Sequence, residues 1–143
     1  MIPEIEKKRV LFLCTGNSCR SQMADGIINH DFADTIEAFS AGTEPNGLNP
    51  KAVQVMAELG IDISRNSSDH LNKYAEQEFD YVITLCGDAN DKCPLFIGGV
   101  RRVHIGFDDP PKATGSDEEV LDVYRRVRDE IRLQLGDFFR REL

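Results

Sequence analysis

Apolar residues fall along this chain in two alternating patterns, short near-continuous runs and longer stretches with helical spacing. Residues 9–13 and 80–85 are of the first kind, built on Val10-Leu11-Phe12-Leu13 and Tyr81-Val82-Ile83-Thr84-Leu85. Strands apolar on both sides suit a sheet covered on both faces, as parallel sheets are. Weaker strand patterns lie at 36–40 and 101–105. Helical spacing predicts helices over about 21–32, 50–59 and 117–140, and a further short one near 70–78. Three of the boundaries carry their own punctuation. Asn49 and Pro50 read as a cap followed by proline at the first helical position, and Gly60 closes that helix. Ser116-Asp117-Glu118-Glu119 reads as a capping box opening the last helix. The alternation predicts a small doubly wound α/β domain, a three-layer α/β/α sandwich on four parallel strands, filling residues 1–143 as one unit.

Composition narrows the class of protein. A chain of 143 residues is long enough to bury about two-thirds of its surface without staples. Its hydrophobic content of 41% and charged content of 29% are those of an ordinary soluble globular protein. No apolar run approaches the roughly 18 residues that span a bilayer, and residues 1–9 hold no apolar signal core. The expected compartment is therefore the cytoplasm, where thiols stay reduced and paired cysteines serve catalysis or metal binding. With 17 basic and 25 acidic residues the net charge is −8, which argues against nucleic acid or an anionic membrane as the main partner. Any anion site must then be locally positive against an unfavourable overall field.

One segment has the chemistry for such a site. Cys14-Thr15-Gly16-Asn17-Ser18-Cys19-Arg20-Ser21 follows the first strand and precedes the first helix. Backbone N–H groups of residues 15–20 can curl around a tetrahedral oxyanion, and the helix adds its positive end. Arg20 supplies a planar fork for two anion oxygens. Such surroundings favour thiolate over thiol, so Cys14 is expected to be a nucleophile, with the Ser21 hydroxyl bonded to its sulfur. Cys19 lies in the same loop, but its side chain is expected to be structural. In parallel sheets ligands gather beyond the carboxyl ends of the strands. Cys86 follows the strand ending at Leu85, and Asp108-Asp109-Pro110 follows the strand at 101–105. Three strands thus bring two thiols and a carboxylate to one rim.

The remaining residues admit more than one reading. Cys86 and Cys93 frame a polar stretch, Gly87-Asp88-Ala89-Asn90-Asp91-Lys92. They can be a redox pair, unrelated cysteines or two zinc ligands; zinc pairs usually keep two to four residues between them, so a redox pair fits better. Asp109 is either loop punctuation before Pro110 or an acid that protonates a leaving oxygen; the second is favoured. His30, His70 and His104 show no ligand spacing. Arg125, Arg126 and Arg128 read as a solvated helix face.

The motifs Cys14–Ala24, Ser40-Ala41-Gly42, Gly60–Ser64, Thr84–Asp88, Asp91-Lys92-Cys93-Pro94 and Gly106–Pro110 together resemble the thioredoxin-coupled arsenate reductases of the low-molecular-weight tyrosine phosphatase fold. The resemblance covers nearly the whole chain. It implies a three-thiol relay. Cys14 attacks arsenate held by Arg20 and the loop amides, with Asp109 protonating the departing oxygen. Cys86 then attacks Cys14, releasing arsenite, and Cys93 attacks Cys86 to leave a disulfide that thioredoxin reduces. No cofactor is implied by that chemistry. Some relatives also bind potassium at positions matching Asn17, Asp25, Ser40 and Asp69, where position 25 is commonly Glu. Pro111-Lys112-Ala113 lacks the tyrosines that often follow this Asp-Pro in the phosphatases. The competing reading is a phosphatase that uses Cys14, Arg20 and Asp109 on phosphomonoesters.

Overall fold

In a computed structural model that describes residues 7–87 and 101–143, four parallel strands form one sheet. They are β1 (Lys8–Cys14), β2 (Ile36–Gly42), β3 (Tyr81–Thr84) and β4 (Arg101–His104), in spatial order β2-β1-β3-β4. The register pairs Phe12 with Ser40 on one side and with Ile83 on the other. The expected α/β architecture is borne out, and all four strands fall where the apolar pattern put them. Val10 to Leu13 are wholly buried because β1 is central and covered on both faces.

The described α-helices are α1 (Arg20–Asp31), α2 (Pro50–Ala57) and α3 (Asp117–Glu142). On one face Phe12 meets Phe139 of α3 edge-on, with ring centroids 6.4 Å apart, and Tyr81 meets the same ring at 6.0 Å. Side chains alternate across a strand, so Phe39, in register with Leu11, points to the opposite face. There it packs against Tyr74 and Phe79, each at 5.7 Å. The helix expected near 70–78 is only a 3₁₀ turn, Leu71–Tyr74, opened by His70, whose Nδ1 accepts from the Asn72 N–H. Its end is set by Tyr74 turning into the aromatic cluster.

The helix boundaries have local causes. Asn49 Oδ1 accepts from the N–H groups of Lys51 and Ala52, capping α2 ahead of Pro50. Past Ala57 the chain turns through Gly60 at φ +75°, a left-handed conformation that suits glycine. Both bonds of the Ser116–Glu119 capping box are made. Among the described residues no helix is long and apolar enough to cross a membrane.

Candidate active site at the carboxyl edge of the sheet

β1 ends at Cys14 and α1 begins at Arg20, leaving the intervening loop to be shaped by its neighbours. The carbonyls of Cys14, Thr15, Gly16 and Ser18 accept from the N–H groups of Thr43, Glu44, Asn46 and Asn49 respectively, at 2.8–3.3 Å. A trans peptide points its N–H opposite its C=O, so carbonyls tied outward turn the amides inward. Gly42 lets the end of β2 lie against this loop: a Cβ there would sit 2.5 Å from the Thr15 oxygen and 2.8 Å from the Asn17 nitrogen. The pocket so formed is a cavity of about 170 Å³ lined by Cys14, Gly16, Ser18, Arg20, Asn46 and Asp109 among others. The N-cap of α1, Cys19, makes no side-chain cap bond, which leaves the first amides of the helix for an anion.

A hydrogen-bond chain fixes the proton on Ser21. Asn17 Oδ1 accepts from the Asp69 N–H at 2.8 Å, so its Nδ2 faces and donates to Ser21 Oγ, also at 2.8 Å. Ser21 then has its own O–H to donate to Cys14 Sγ, 2.9 Å away. A donor on sulfur favours its ionised form. Arg20 is nearly buried; one nitrogen donates to the Phe107 carbonyl at 3.1 Å and another lies 3.5 Å from Asp109. The carboxyl expected after β4 therefore reaches the anion pocket.

Cys86 is buried just beyond β3, and its sulfur lies 3.3 Å from the Thr15 hydroxyl at the rim of the same loop. Cys14 and Cys19 are free thiols. Burial pushes the Cys19 thiol far up, and the neighbouring Cys14 and Asp109 charges add to that, so Cys19 is held as an inert thiol. Cys19 lines the pocket together with Thr15, Gly16 and Ser18, whereas Asn17 is fully buried behind them. Outside lies a wider cleft of about 820 Å³ bordered by Arg20, Cys86, Asp109, Lys112 and Arg126. Cys93 lies outside the described residues.

The four oxygen-bearing residues at the potassium positions fall into two linked pairs. Asp25 accepts from Ser40 at 3.0 Å and from Asn29 at 2.6 Å, both neutral donors. Burial pushes its carboxyl up to about 6. Asp69 gives its N–H to Asn17, and its carboxylate is met by Ser67 and Lys73. Burial raises the Tyr74 hydroxyl, which also feels both the Asp69 and Asp25 charges. An all-oxygen set with a poorly balanced carboxylate fits a hard cation.

Some residues matter here that the sequence reading passed over. Asn46 and Lys112 border the two cavities. Asn49, besides capping α2, donates to the Tyr124 hydroxyl at 3.0 Å, and burial raises that hydroxyl. Gln22 is fully buried in the first turn of α1, beside buried Arg20 and Ser21. Three buried polar residues opening a helix were the available signal. The arginines of α3 are not simply a solvated face. Arg128 is buried and donates to the Val55 carbonyl and to Glu58, while Arg125 joins Glu58, Glu118 and Asp122.

Residues 9–143 match the family model described as low molecular weight phosphotyrosine protein phosphatase. A protein of Shouchella clausii named arsenate reductase is 54% identical over 134 residues, covering 94% of this chain and 96% of that protein. A solved structure described as an arsenate reductase in the phosphate binding state superposes with a TM-score of 0.77 at 33% identity, covering 94% of this chain and 98% of that one. A thioredoxin-dependent arsenate reductase of Corynebacterium glutamicum gives a TM-score of 0.68 at 27% identity, covering 92% of this chain and 61% of the other. With the fold, the loop and these likenesses in agreement, the chain belongs to the low molecular weight phosphotyrosine protein phosphatase family, in the company of relatives named arsenate reductase.

Proposed function

We infer that this protein reduces arsenate to arsenite, using Cys14, Cys86 and Cys93 in turn and thioredoxin as the final reductant. The observation that carries this reading is the second thiol. Cys86 reaches the rim of the anion loop, against Thr15, and a phosphatase needs only Cys14, Arg20 and Asp109. The similarity to arsenate reductases over nearly the full length supports the substrate. The similarity to a thioredoxin-dependent one supports the reductant. The reading places the enzyme in the cytoplasm, where its thiols stay reduced.

In the proposed scheme arsenate displaces the Asp109 carboxylate from the Arg20 fork and is held by Arg20 and the amides of residues 15–20. The Cys14 thiolate attacks arsenic while the freed Asp109 carboxylate takes a proton from one hydroxyl of dihydrogen arsenate and passes it to the other, which leaves as water. Cys86 attacks Cys14 Sγ, forming the Cys14–Cys86 disulfide. The electron pair of the S–As bond stays on arsenic, which becomes arsenic(III). Cys93 attacks Cys86, frees Cys14 and leaves Cys86–Cys93. A thioredoxin dithiol then returns two electrons, matching the two arsenic received. A potassium ion at Asn17, Asp25, Ser40 and Asp69 supplies positive charge behind the loop when bound; Asn17 and its partner Ser21 would be held in place by that site.

The test is arsenate-dependent NADPH oxidation with thioredoxin and thioredoxin reductase, on the wild type and on Cys93→Ser. The wild type is expected to turn over steadily, and the variant to release about one equivalent of arsenite and stop. Steady multi-turnover reduction by Cys93→Ser refutes the relay. No reduction by the wild type, with hydrolysis of an aryl phosphate, makes the protein a phosphatase instead.

A further inference from the structure

Gln22 takes no part in that scheme, yet its side chain is fully buried one residue beyond Ser21. A buried amide is costly unless its groups are bonded, and here they are. Nε2 donates to the Ser67 carbonyl at 2.9 Å and to the Asn17 carbonyl at 3.0 Å, with a longer approach of 3.3 Å to Asn17 Oδ1. Oε1 accepts from Asn66 Nδ2 at 3.1 Å. Two backbone carbonyls on one side leave no choice about which end of the amide is nitrogen. The residue so gripped is Asn17, the non-glycine with positive φ (+44°) among the described residues. Such a conformation persists where its surroundings hold it.

We propose that Gln22 is a positioning residue for the nucleophile, holding Asn17 so that the Asn17–Ser21 chain keeps a donated proton on the Cys14 sulfur. The same side chain links the 66–69 segment to that thiol, through Ser67 and Asn66. Without the Gln22 amide, the Asn17 carbonyl loses this inner anchor. Apart from its bond to Ser21, its side chain is then held only by the Asp69 N–H, and the Asn17–Ser21 pair is free to turn its proton away. A donor to sulfur counts most when the sulfur is ionised. The loss therefore appears in the pH dependence of Cys14 reactivity, which a purely structural role would not move. The inference rests on Cys14 being the nucleophile, but not on arsenate, Cys93 or thioredoxin.

The test is the rate of Cys14 carboxamidomethylation by iodoacetamide against pH, followed by mass spectrometry of the Cys14 peptide. It is run on the wild type, on Gln22→Met and on Asn66→Ala. Methionine keeps the length and volume of glutamine without its hydrogen bonds. Asn66→Ala leaves Gln22 in place and removes the donor that pins its oxygen, at a half-buried loop position. The midpoint in Gln22→Met is expected to rise by about one pH unit, with alkylation about tenfold slower on the low-pH limb. Asn66→Ala should shift it the same way by less. Unmoved midpoints in both variants overturn the proposal. Should Gln22→Met not fold, Asn66→Ala decides alone, and an unmoved midpoint there overturns it. If Cys14 is not the most readily alkylated thiol of the wild type, the assignment of the nucleophile fails, and the role of Gln22 falls with it.

Discussion

At the scale of single residues, the site depends on polar groups placed where burial would otherwise cost stability. Ser21, Asn17 and Gln22 satisfy one another. Asp25 is the exception in kind, a half-buried carboxyl whose hydrogen-bond donors, Ser40 and Asn29, carry no charge. Burial pushes it up to about 6, so near neutral pH the folded protein carries a carboxylate in a poor setting. A cation bound there lifts that cost and stabilises only the folded state, by an amount that grows with the logarithm of its concentration. Raising potassium from about 1 to 100 mM at constant ionic strength, with sodium as the balance, should raise the thermal midpoint by a few degrees at pH 7.5. Asp25→Asn should remove the potassium dependence and leave the midpoint in sodium equal or higher. A potassium response that survives Asp25→Asn would place the ion elsewhere.

Among the elements, α2 and α3 are joined by charges that are far apart in sequence. Glu58, just past α2, takes Arg125 at 2.9 Å and Arg128 at 2.8 Å from α3. The Arg125 hydrogen bonds, and then Arg128, hold the Glu58 carboxyl below its ordinary value of 4.5. A carboxyl with a lowered folded pKa stabilises above its unfolded value and loses that contribution as pH falls through the folded one. Glu58→Gln should therefore cost on the order of 1 kcal/mol at pH 7, discounted for its partial exposure. The gap to the wild type should narrow steadily in urea unfolding as pH drops below about 4.5; a gap that is constant with pH would mean packing, not charge, joins the helices. The same pair explains what sequence could not show. Strands such as β1 were legible because burial on both faces writes a local apolar run, and the α2 and α3 caps were legible because their bonds span two or three residues. Cys14, Arg20 and Asp109 could be placed because each follows a strand. Arg128 looked solvated since its partner is 70 residues away. Leu71 and Tyr74 had helical spacing, but a ring cluster with Phe39 and Phe79, assembled only in the fold, ends that turn. Gln22 was hidden for a like reason: Ser67 and Asn66 reach it from about 45 residues on.

Across the whole molecule, a net charge of −8 surrounds a site built for an anion. The cleft outside the pocket holds Arg20, Lys112 and Arg126, but also Asp108, Asp109 and Glu130. Arg126 is engaged by Asp108 at 3.2 Å and Glu130 at 2.8 Å, and Arg20 by Asp109. Among the described residues the mouth is thus near neutral, and an approaching oxyanion meets the negative field of the rest of the protein. The two contributions differ in range. Contacts inside the pocket act over a few ångströms and are hardly screened. The field of the distant acids is cut off beyond about 30 Å at 0.01 M salt and about 8 Å at 0.15 M. Salt should therefore remove the repulsion and leave the binding contacts in place. Under the arsenate reductase reading, kcat/KM for arsenate is expected to rise roughly two- to fivefold as sodium chloride goes from 0.01 to 0.15 M at fixed potassium. Most proteins that capture anions through a basic face show the reverse, because screening weakens the attraction. A fall in kcat/KM would mean that Lys112 and the arginines outweigh the global charge at the mouth. In that case Lys112→Ala should abolish the fall, and the cleft would be a guide for anions, not a neutral entrance.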